Sequence, residues 1–75
     1  MINASQIREH MEIRGSDGGH VGTVDRVEGN RIKLTKSDAN AGGQHHYMDL
    51  AAVSEIKDGC LVVSKSADEC MKTLQ

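Results

Sequence analysis

The sequence predicts a mainly β domain. We expect a small, strongly bent antiparallel sheet or barrel of about five to six strands, with a short C-terminal α-helix. Three observations predict it. Short apolar runs with period-two alternation recur along the chain. Gly-containing turns separate them, at Asp17-Gly18, Glu28-Gly29-Asn30 and Asp58-Gly59. A helix-start signature of capping-box type comes near the end, at Ser66-Ala67-Asp68-Glu69.

Residues 3–10 predict a helical or 3₁₀ turn, with Asn3 or Ser5 as cap and Ile7 tucked onto the core. His10 to Arg14 alternates, with Met11 and Ile13 on one face, and reads as the first strand. Gly15 to Gly19 is a turn. Asp17 organises it by accepting from amides two residues on, and Gly18 takes the positive φ. Val21 to Val27 is the second strand, and its alternation slips. A bulge near Gly22-Thr23 would bring Val21 and Val24 to one side and bend the strand.

Gly29 turns the chain into Arg31-Ile32-Lys33-Leu34-Thr35, with Ile32 and Leu34 inward. Lys36 to Gly43 reads as a long polar loop. Gln44 to Met48 reads as a fourth strand and Asp49 to Ala52 as a helical turn with Leu50 inward. Val53 to Ile56 is a fifth strand. Lys57-Asp58-Gly59 turns into a sixth, Cys60 to Ser64, with Leu61 and Val63 buried. After Ser66, Ala67, Cys70, Met71 and Leu74 share one face of a short helix suited to covering an end or edge of the sheet.

Seventy-five residues form one domain, residues 1–75. A chain of this size buries only about 60–65% of its unfolded surface. The core lacks Phe and Trp, and Tyr47 is the sole aromatic residue. Aromatic rings bury large areas that aliphatic side chains do not replace. The net charge of −2 is small and mixed, which implies no general attraction to nucleic acid or anionic lipid. No apolar run approaches the roughly 20 residues of a membrane span. Residues 1–6 lack a charged n-region and an apolar h-region, so a signal peptide is not expected. The expected compartment is the cytoplasm, with Cys60 and Cys70 reduced.

No constellation predicts catalysis, a cofactor or a metal. His45 and His46 are adjacent on an expected strand and would face opposite sides. His10 and His20 flank the first turn, without metal-ligand spacing. Cys60 and Cys70 form no Cys-x-x-Cys pair and read as structural. The turn at Gly18 opens no helix, so it does not make a phosphate cradle. Arg26, Arg31, Lys33 and Lys36 form the nearest thing to a basic patch. Asp25 and Glu28 dilute it, and no aromatic residue is interleaved. A solvated strand face is the better reading, and nucleic acid is not an expected partner.

Several stretches together carry a resemblance. They are residues 7–13, Ser16 to Val24, Ile32-Lys33-Leu34-Thr35, His45-His46-Tyr47 and Lys65 to Glu69. In this order they resemble the small bacterial DUF2171 family, a domain of unknown function. The Asp17 to Val24 portion also resembles the wider PRC-barrel group. Those small β-barrels occur in a photosynthetic reaction-centre subunit and a ribosome-maturation factor. The resemblance implies a bent sheet or barrel with assembly roles and no catalytic set. One departure is Met48-Asp49-Leu50, where Ile-Pro-Leu is expected.

The expected function is therefore a non-enzymatic interaction or assembly module with an unidentified protein partner. One alternative is small-ligand or metal binding at a barrel mouth near His20, His45 and Tyr47. Another is RNA or ribosome association through Arg26, Arg31, Lys33 and Lys36. A homodimer is also expected. Strand six, Cys60-Leu61-Val62-Val63, is uncharged, and as an edge strand it would pair with a second copy beside Val62.

Overall fold

The computed structural model describes residues 4–36 and 43–74. The elements are a 3₁₀ turn (Ala4–Gln6), β1 (Glu12–Arg14), β2 (His20–Glu28), β3 (Arg31–Leu34) and β4 (Tyr47–Asp49). A further 3₁₀ turn (Leu50–Ala52), β5 (Val53–Lys57), β6 (Cys60–Val63) and α1 (Ala67–Thr73) follow. The Asn3 cap and most of the Lys36 to Gly43 loop lie outside the described residues.

The six strands form one sheet in the order β4-β3-β2-β1-β6-β5. Its mainly β character and terminal helix agree with the sequence. It is a bent sheet that does not close into a barrel. It is also mixed, because β6 lies parallel to β1 while the other pairs are antiparallel. Parallel neighbours need a long crossover, and here everything from β2 to β5 supplies it. This pairing corrects the expectation for strand six. β6 is interior, hydrogen-bonded on both sides, and the edges are β4 and β5. Val62 therefore has no free strand edge to offer a second copy.

β2 is the strand that bends the sheet. Its first part pairs with β1 and its second part with β3. The register skips Val21 opposite Ile13 and Arg14, and skips Asp25 opposite Lys33 and Leu34. The expected bulge thus lies at Val21, next to Gly22, and a second one lies at Asp25. Each extra residue adds local twist. Val21 and Val24 both face the core as a result. β5 has a similar irregularity at Ser54, whose hydroxyl donates to the Val62 carbonyl at 3.1 Å.

Ile13, Ile32, Leu61, Val21, Val24 and Val63 are the largest fully buried side chains. Ile7, Leu34, Met48, Val53, Ala67 and Cys70 complete the core. No polar or charged residue is buried among the described residues. The β5–β6 hairpin turns on Asp58 at φ +53° and Gly59 at φ +75°. Two positive central φ values match the right-handed twist of the flanking strands.

α1 packs on β2. Ala67 and Cys70 are buried, with Met71 and Leu74 half-buried against the core, as its periodicity predicts. The Glu69 amide donates to Ser66 Oγ, and the hydroxyl donates to Glu69 Oε1 at 3.2 Å. The N-cap half of the expected capping box is thus made, and the Glu69 carboxylate takes the Ser66 hydroxyl in place of the Ser66 amide. α1 enters against the first turn. The Ser16 amide donates to the Lys65 carbonyl at 2.8 Å. A Cβ on Gly15 would stand 2.2 Å from the Ala67 nitrogen.

Strand four starts later than its composition suggests. His45 and His46 precede β4, so the two-faced strand geometry does not apply to them. The missing Pro leaves β4 running to Asp49. There the Leu50 amide donates to the Asn30 carbonyl at 2.8 Å and opens the 3₁₀ turn. Leu50 is half-buried against the core.

Candidate functional site on the outer face of the sheet

The outer face of β2, β1, β6 and β5 carries the densest chemistry of the molecule. Period-two alternation sends Ile13, Leu61 and Ile56 inward and their neighbours outward. Register then lines up two outward rows. One reads Thr23, Glu12, Cys60, Lys57, and the other His20, Arg14, Val62, Glu55. Between β1 and β5 lies an open groove of about 330 Å³, lined in part by Arg14, Glu55, Lys57, Cys60 and Val62.

Glu12 is the hub of this face. It sits 2.9 Å from His20 Nδ1 and 3.1 Å from Arg14 Nε. The Cys60 thiol lies 3.8 Å from Oε1, the oxygen that Arg14 also engages, a weak contact. Hydrogen bonds from His20 and then Arg14 hold the Glu12 carboxyl below its ordinary pKa. Bonds to the charged form have that effect. A carboxylate held ionised in this way serves as an acceptor and an anchor. General-acid work requires the opposite shift. Arg14 is likewise held in its charged form by Glu12. Glu55 and Lys57 are exposed and have no ion-pair partner among the described residues.

The residues singled out from the sequence are spread over both wings of the sheet and its turns. Val62 faces outward and half-buried, at the floor of the groove. Arg26, Arg31 and Lys33 lie on the other wing, β2 to β4. Arg26 is opposite Lys33, which is opposite Tyr47, and Arg31 is flanked by Glu28 and Asp49. Arg26 also pairs with Glu28 at 2.6 Å. Lys36 is exposed beyond β3.

Asp17 and Gly18 shape the first turn as expected. The Gly19 amide donates to Asp17 Oδ1 at 3.1 Å, and Gly18 stands at φ +84°. Gly29 takes φ +61°. Gly22 is buried, and a Cβ there would be 2.7 Å from Leu34 Cδ2.

The barrel mouth expected near His20, His45 and Tyr47 is not formed, because the sheet stays open. His20 belongs to the Glu12 cluster, His45 Nδ1 lies 2.9 Å from the Leu34 carbonyl oxygen, and Tyr47 faces Lys33 across the strands. His10 does not meet His20 through the expected hairpin. It holds φ +67°, and its amide donates to the Val24 carbonyl at 2.8 Å. No group of three or more His, Cys, Asp or Glu side chains suited to a metal occurs among the described residues. No described helix is long and apolar enough to cross a membrane.

Sequence reasoning missed the Glu12 cluster. Its members lie on β1, β2 and β6, and the parallel β1–β6 pairing that joins them has no local signal. The near alternation of Glu12 and Arg14 was its only visible trace.

Among curated proteins and among solved structures, no match to the chain is found. The likeness to the wider PRC-barrel group therefore rests on the Asp17 to Val24 motif. A family model does match, over residues 7–71, which spans β1 to β6 and most of α1. The chain belongs to this family, DUF2171, described as an uncharacterized protein conserved in bacteria.

Proposed function

We propose that the chain is a non-enzymatic interaction or assembly module of the cytoplasm, and that it contacts its partner through the outer face of β1, β6 and β5. The observation that carries this reading is the groove floored by Cys60 and Val62 and rimmed by Arg14, Glu55 and Lys57. A half-buried apolar centre inside a charged rim is the anatomy of a protein contact. The ionised, hydrogen-bonded Glu12 supports binding over acid–base chemistry. The test compares proteins captured from an extract of the native cell by the wild type and by Val62→Lys. Val62 points outward, so the variant should keep its circular dichroism spectrum and lose the partner. Identical capture by both forms would remove this face as the contact surface.

A second reading, RNA or ribosome association, is favoured by one observation. Register places Tyr47 beside Lys33 and Arg26, the aromatic-and-cation row that single strands use. Glu28 and Asp49 oppose it on the same wing. Binding to RNA that falls steeply with salt and is lost in Tyr47→Ala would support this reading.

A further inference from the structure

We infer that the outer face of β1, β6 and β5 docks a second copy of this chain, face to face, about a two-fold axis parallel to β6. The inference rests on the reading of this face as a contact surface and names its occupant.

The charge geometry of the face favours a second copy. Across the three strands one row reads Glu12, Cys60, Lys57, and the next reads Arg14, Val62, Glu55. The four corners alternate in sign around an uncharged centre. A two-fold axis lying along β6 places the β1 side of one copy over the β5 side of the other. Glu12 then faces Lys57 and Arg14 faces Glu55, and each pair occurs twice. Val62 meets Val62 and Cys60 meets Cys60 on the axis. Isologous contacts require this self-complementarity.

Two further facts agree with a second copy. Glu55 and Lys57 lack ion-pair partners among the described residues. The central column is half-buried and uncharged. The patch is only three strands wide, and small contacts are the weak, transient ones. The association is therefore weak, salt-sensitive and visible at high concentration.

Sedimentation equilibrium is run from about 10 μM to 1 mM, at low and at high salt, a range suited to a weak contact. The weight-average mass of the wild type should rise toward the dimer at low salt and fall back at high salt. Glu55→Lys, which places Lys against Arg14, should weaken the association at least tenfold. Diamide should oxidise two facing Cys60 thiols to one disulfide and give a covalent dimer that Cys60→Ser does not form.

A wild type that stays monomeric at 1 mM in low salt overturns the inference. So does a dimer that is indifferent to Glu55→Lys and forms no Cys60 cross-link. The contact-surface reading fails separately. A monomeric wild type whose captured partner is lost in Val62→Lys keeps that reading and removes the second copy.

Discussion

The carboxylate of Asp17 accepts a hydrogen bond from the backbone amide of Ala67, at 3.2 Å and fifty residues along the chain. The same oxygen accepts from Gly19 at 3.1 Å. One side chain thus shapes the first turn and ties the start of α1 to it. We expect Asp17→Ala to loosen both. Amide exchange at Ala67 and Gly19 should quicken, and the melting temperature should fall. Unchanged exchange at Ala67 would show that α1 is held by its apolar face alone.

The pH dependence follows from the same contact. The Gly19 and Ala67 amides hold the Asp17 carboxyl below its ordinary pKa. A depressed folded pKa adds stability that is present above the unfolded value of about 4. That stability is lost as pH falls through the folded value. Asp17→Asn keeps an acceptor oxygen and loses the titration. Its stability should therefore decline less on acidification than that of the wild type. Parallel acid limbs in urea denaturation would contradict this.

Gly15 and Gly22 should differ in what they tolerate. A Cβ on Gly15 meets the backbone of Ser66 and Ala67, at 2.2–2.8 Å, and no rotamer change relieves that. A Cβ on Gly22 meets the end of the Leu34 side chain, which has other rotamers. Gly15→Ala should cost about 3 kcal/mol or more, at the upper end of overpacking, and Gly22→Ala clearly less. The larger Gly22→Val should cost about 1–3 kcal/mol, with Lys33→Ala within about 0.5. Denaturant midpoints rank the four. Equal losses for the two alanine variants would mean that the α1 entry shifts freely.

The β5–β6 turn offers a cleaner backbone test. Gly59 holds φ +75°, and nothing lies within 4 Å of where a methyl group would stand, so only conformation opposes a side chain. Gly59→Ala should cost about 1–2 kcal/mol. Asp58→Asn, at φ +53°, should be close to neutral, because Asn adopts positive φ readily. Thermal melts of both variants check it.

The two cysteines should react at different rates. Cys70 is 2% exposed under α1, and burial raises its thiol pKa. Cys60 is half-buried on the outer face. A thiol reagent followed by mass spectrometry should label Cys60 first and Cys70 only as α1 opens. Equal rates would place α1 in frequent undocking.

Local features were legible in the chain's residues. Asp58-Gly59 and Gly29 demanded their turns because positive φ is a property of single residues. Ile32 and Leu34 faced inward because strand side chains alternate. Ser66 capped α1 because an N-cap bond to the Glu69 amide is closed within four residues. The slip from Val21 to Val24 announced a bulge, though the skipped residue proved to be Val21, and Asp25 adds a second one. Tertiary structure decided the rest. Period two says which face of a strand is buried but not which strand lies beside it. The hydrophobic pattern of Cys60-Leu61-Val62-Val63 suits an edge and an interior strand equally, and only docking beside β1 made it interior. That parallel pairing brought Glu12 to Cys60, and the docking of α1 brought Ala67 to Asp17, across 48 and 50 residues. Such contacts form when the whole core packs, and no local signal in either partner specifies them.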